Sequence, residues 1–148
     1  MLSRHSRVLV LALGLAGCDH ERGPTLAEPL VGGMPIPVAL TKTVGIPLTG
    51  LPRVNVVGLS KGVQITWEVE NGPCLIASAT GTAADSIVQV EIQQSGNPLA
   101  DCAPGRVSYR YVANASGLAP RRYQVRLVDA KLGQPAVEVA RRSVEVMP

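Results

Sequence analysis

What most constrains this chain is a period of two in its apolar residues, repeated along most of its length. Val63, Ile65, Trp67 and Val69 share one parity, with Gln64, Thr66, Glu68 and Glu70 on the other. Side chains alternate sides along a strand, so this pattern describes a strand with one face in a core and one in water. Val88, Val90 and Ile92 repeat it against Gln89 and Glu91, Val107, Tyr109 and Tyr111 against Ser108 and Arg110, and Tyr123, Val125 and Leu127 against Arg122, Gln124 and Arg126. Val137 and Val139 begin a further run, but Val144 and Val146 fall on the opposite parity. The stretch from Ala140 to Ser143 is therefore expected to hold a bulge or a crossing between sheets. Weaker strands are expected at Val38 to Thr43, Val54 to Val57 and Leu75 to Ala79.

Turn residues punctuate these runs: Ser60-Lys61-Gly62, Asn71-Gly72-Pro73, Ser95-Gly96-Asn97-Pro98, Ala103-Pro104-Gly105 and Lys131-Leu132-Gly133. No helical period competes with them. Short strands at this spacing predict an all-β, antiparallel sandwich of about seven or eight strands, or a barrel, over residues 34–148. Leu118-Ala119-Pro120-Arg121-Arg122-Tyr123-Gln124-Val125 resembles the tyrosine corner of immunoglobulin-like and fibronectin-type domains. That resemblance implies a sandwich in which the Tyr123 hydroxyl returns to the backbone a few residues upstream. The chain departs from the antibody pattern because Trp67 precedes both later cysteines.

The first residues follow other rules. Arg4 and Arg7 stand without an acid before the apolar run Val8 to Ala16, which is far short of the roughly 20 residues that span a bilayer. This order marks a secretory signal. Its end, Leu15-Ala16-Gly17-Cys18, resembles the lipobox of bacterial lipoproteins. The resemblance implies removal of residues 1–17, lipid on Cys18, and attachment of the chain to a membrane of the bacterial cell envelope, facing the periplasm. Asp19 resembles the inner-membrane retention signal of some Gram-negative lipoproteins, without deciding between inner and outer membrane. From Asp19 to Gly33 the sequence is polar and broken by Gly23-Pro24, Glu28-Pro29 and Gly32-Gly33. Residues 18–33 are thus expected to form a lipidated, loose tether, whose fifteen residues after the cysteine span about 20 Å on average and about 50 Å at full stretch.

Removing Arg4 and Arg7 from the 14 Lys and Arg leaves 12 against 11 Asp and Glu, so the basic balance gives no argument for nucleic acid. Cys74 and Cys102 remain in an oxidising compartment, where a lone pair most simply forms a disulfide. Without a CxxC arrangement, a redox or metal-binding pair is the weaker alternative. Closing the loop between them is worth about 3.5 kcal/mol in the chain-entropy model. With Trp67 outside the pair, this bond is expected to clamp loops or strand ends.

Histidine narrows the chemistry. His5 lies in the signal and His20 in the tether, so residues 34–148 contain none. Ser-His-Asp catalysis, a Cys-His nucleophile and His-ligated zinc are therefore excluded within this domain. Glu68 and Glu70, with Glu91 on a neighbouring strand, could do acid–base work only in a cleft; their parity places them on the wet face. No catalytic residue, metal ligand or cofactor is assigned, and no weight is given to the glycosylation-like Asn114-Ala115-Ser116. Residues 105–148 carry eight Lys and Arg against Asp129, Glu138 and Glu145, whereas residues 18–104 carry a net −4. Arg110, Arg122 and Arg126 occupy the polar parity of two successive strands. Two readings follow: a face for anionic lipid or an envelope protein, or a charged surface that keeps a sheet soluble.

The function expected is a lipid-anchored, non-catalytic interaction module. The alternative is a small barrel carrying an apolar ligand or lipid, disfavoured by the absence of Phe and the single Trp, and behind it stands a hydrolase that uses carboxylates alone.

Overall fold

The computed structural model describes residues 24–48, 50, 52–97, 101–102 and 104–148. Cys18 and the signal lie outside them. Among the described residues the fold is all-β, with ten strands, against the seven or eight expected, in two packed sheets. The six-stranded sheet runs β1 (Thr25–Leu26), β10 (Val137–Glu145), β9 (Arg122–Lys131), β7 (Ile87–Gly96), β6 (Leu75–Ala84), β2 (Met34–Ile36). The four-stranded sheet runs β3 (Val38–Val44), β8 (Val107–Ser116), β5 (Gly62–Asn71), β4 (Arg53–Leu59).

The alternating stripes become the core. Val63, Ile65 and Trp67 of β5 and Tyr109, Tyr111 and Ala113 of β8 face Val88, Val90 and Ile92 of β7 and Tyr123, Val125 and Leu127 of β9, all buried. Trp67 is 1% exposed and its ring centroid lies 5.4 Å from that of Tyr111. The two best-formed depressions among the described residues, of about 290 and 230 Å³, open at the surface.

Three further details differ from expectation. Not every pair is antiparallel: β7 and β9 run parallel, because the chain crosses to the other sheet as β8 and returns beside β7. The bulge of β10 sits at Val139, between Glu138 and Ala140, one residue ahead of the stretch expected. The Tyr123 hydroxyl accepts from a side chain, Arg121 Nε at 3.1 Å, instead of meeting the upstream backbone.

The sheets meet along both sides. Pro37 separates β2, which pairs with β6, from β3, which pairs with β8; lacking an N–H, it suits the point where the chain changes sheet. On the other side Met147 N donates to Leu59 O and Lys61 N to Met147 O, both at 3.0 Å. Gly58 permits this approach, since an added Cβ would land on the carbonyl of Glu145.

The span expected as a loose tether is docked from Thr25 onward. Thr25 and Leu26 pair with Glu138 and Val137 at one edge of the six-stranded sheet, and Met34 to Ile36 pair with β6 at the other. Between them the chain crosses the outer face: Arg126, on the parity opposite the core, donates from Nη2 to Glu28 O at 3.0 Å. Eight residue steps reach about 26–29 Å, and five strand spacings are about 24 Å, so this strap has little slack. It explains why Arg126 and Val128 are buried on a face that parity assigns to water.

Candidate functional site

Of the two readings of the arginines, a single shared face is not what the fold forms. Arg110 lies on β8 in the four-stranded sheet, whereas Arg122 and Arg126 lie on β9 in the six-stranded one, so the outer faces that carry them look in opposite directions. Arg110 donates to Glu68 Oε1 from Nε at 2.8 Å and from Nη2 at 2.5 Å, directly across the β5–β8 ladder. Arg126 is only 6% exposed and is occupied by Glu138 and the strap. Arg122 stays at the surface. The carboxylates part in the same way: Glu68 and Glu70 belong to β5, and Glu91 to β7 in the other sheet.

Cys74 and Cys102 form a disulfide, Cα atoms 6.1 Å apart. It ties the residue before β6 to the β7–β8 connection, and Asn97 N donates to Cys74 O at 3.1 Å beside it. The bond is a clamp at one end of the sandwich.

That same end holds polar groups that no motif announces. Four apolar stripes each end one step later in a polar residue on the inner parity: Val38-Leu40-Lys42, Val63 to Val69-Asn71, Val88 to Ile92-Gln94, and Tyr123 to Leu127-Asp129. The four strands all finish at this end, so their terminal side chains meet. Gln94 stands at the centre. Its Oε1 accepts from Asn71 Nδ2 at 2.9 Å and from the Tyr111 hydroxyl at 3.0 Å, and its Nε2 donates to Asp129 Oδ1 at 2.5 Å. Lys131 Nζ lies 3.6 Å from Asp129 Oδ2. Lys42 donates to Leu75 O and stands over the Tyr109 ring, 4.6 Å from its centroid.

Burial dominates the electrostatics. It pushes the Tyr111 hydroxyl up to about 12, with nearby Tyr109 adding to the effect. Tyr111 therefore remains a hydrogen-bond donor at neutral pH. Burial also raises the Asp129 carboxyl, against the lowering effect of the Gln94 amide and Lys131. Asn71, Gln94, Lys131, Leu75, Leu132 and Gln134 line an open cleft of about 290 Å³ at this end. The Asp129 carboxyl lies behind Gln94 and does not itself line the cleft. The floor of the cleft consists of amides held in place from behind, which can both donate and accept. No protein-family model, curated protein or solved structure matches the chain.

Proposed function

We propose that this chain is a lipid-anchored protein of a bacterial cell envelope, held through Cys18, whose sandwich is a non-catalytic binding module. The observation that carries the binding half is the pair of hydrogen-bonded amides, Asn71 and Gln94, that line an open cleft, with Asp129 holding Gln94 from behind. Buried amides joined to one another and to Tyr111 are positioned without a ligand, which lowers the ordering cost of recognition. The Tyr111 hydroxyl stays protonated and Asp129 is engaged by Gln94, an arrangement suited to holding a partner by hydrogen bonds. The lipid half rests on the lipobox residues Leu15 to Cys18.

Two measurements test it. Cys18→Ser should abolish incorporation of labelled fatty acid; continued labelling would refute the anchor. A photo-crosslinking residue at Gln134, on the cleft, should capture a defined envelope component in cells, and the same residue at Thr43, on the opposite sheet, should not. Identical products from both positions would refute the cleft as the seat.

A further inference from the structure

We infer that the corner built by β1, the start of β10 and the β9–β10 turn rests on the bilayer surface, with Leu26 and Leu132 entering its interfacial layer. This deepens the lipid-anchored reading and rests on it. The first argument is reach. Thr25 is already paired to β10, so only seven residue steps separate it from Cys18, at most about 25 Å of chain. A domain whose ten-residue strands are themselves about 33 Å long cannot turn this edge far from its anchor.

The second argument is what that edge displays. Leu26 is 72% exposed and Leu132 is 84% exposed, two of the larger apolar side chains left in water. They belong to one corner, because Leu26 pairs with Val137 and Ala27 N donates to Ala136 O at 2.9 Å, in the turn that Leu132 opens. Lys131 adjoins Leu132, and the exposed Arg141 and Arg142 follow on β10, against Glu28 on the strap. Glu138 is enclosed between Arg126 and Arg141. Basic side chains flanking apolar ones suit a surface of headgroup phosphates over hydrocarbon. The cleft shares Lys131 and Leu132 with this corner, so its ligand would be met at the membrane surface.

The full acylated protein in vesicles of three parts phosphatidylcholine to one of phosphatidylglycerol provides the test. In a Trp67→Phe background, Leu26→Trp and Leu132→Trp place single reporters at exposed positions, and Val57→Trp places one on β4. With lipids brominated near the headgroup, emission at 26 and 132 should fall at least twofold while emission at 57 stays unchanged. The same fractional quenching at all three positions, or none at any, overturns the docking. Intact mass separates the two ideas: an acylated but unquenched protein refutes only the corner, and a chain without acyl groups refutes the anchor and the corner together.

Discussion

Glu138→Gln should destabilise the domain more than Arg126→Met, although the two side chains form one ion pair. Arg126 Nε lies 2.8 Å from Glu138 Oε2, and both side chains are about nine-tenths buried. Glu138 has a second cation, since Arg141 Nε and Nη2 reach Oε1 and Oε2 at 2.7 and 2.8 Å. Removing the carboxylate strands Arg126 under the strap beside Val128, with only Glu28 O and an amide oxygen to meet it. Breaking a buried pair from one side costs about 3–5 kcal/mol, and these remaining acceptors place Glu138→Gln near roughly 3 kcal/mol. Arg126→Met leaves Glu138 with Arg141 and strands no charge, only the carbonyl of the exposed Glu28. The lost charged hydrogen bond is worth about 1.5–3 kcal/mol, which methionine packing partly offsets. Urea unfolding followed by Trp67, the single and buried tryptophan, measures both. At a slope of about 2 kcal/mol per molar, Glu138→Gln should move the midpoint down by roughly 1.5 M. Arg141 first, then Arg126, hold the Glu138 carboxyl below its ordinary 4.5. Its contribution is therefore complete above that value and lost as pH falls through the folded pKa, so the gap between wild type and Glu138→Gln should close in acid. Equal losses for the two variants, or a gap indifferent to pH, would refute the stranded charge.

Trp67→Ala should cost about 3–5 kcal/mol, whereas Trp67→Phe should cost far less, because it removes an indole N–H buried without a partner; calorimetry separates them. Replacing Cys74 and Cys102 by serine should lower stability by about 3.5 kcal/mol, and reduction of the wild type should reproduce the loss in chemical denaturation. Asp129→Asn should stay within about 1 kcal/mol of wild type at neutral pH, since burial disfavours the charged carboxyl that it replaces. With its folded pKa raised above 3.8, Asp129 takes up a proton more readily in the native state. Wild type should therefore gain on the variant as pH falls through that raised value, a trend that pH-dependent urea titrations would show.

Parity made much of this fold legible. Val63 to Val69, Val88 to Ile92 and Tyr123 to Leu127 all face the core as their alternation requires, because each strand has one dry face. Parity cannot say to which sheet a strand belongs, and there Arg110 and Arg126 were misleading: β8 and β9 follow one another in sequence but lie in opposite sheets. Nor could composition disclose the strap. Thr25 and Leu26 are too few to show a period, and Pro and Gly around them read as loose chain. The polar floor was visible only in part. Asn71, Gln94 and Asp129 each extend an apolar stripe by one inward step, which in a single strand looks like its end. Only the assembled sandwich brings those ends into hydrogen-bond contact.

The parallel ladder between β7 and β9 has a consequence for the order of assembly. Three ladders, β4–β5, β6–β7 and β9–β10, join neighbours in sequence and can form as hairpins. β7 and β9 cannot meet that way, because the whole of β8 must first lie in the opposite sheet. The long closures β3–β8, β5–β8 and β7–β9 therefore fall together, after loop entropy has been met without local reward. Folding of such a non-local topology belongs on the millisecond-to-second scale. The strap, earliest of the paired segments to emerge during synthesis, can settle only after β6 and β10 are both in place to receive it.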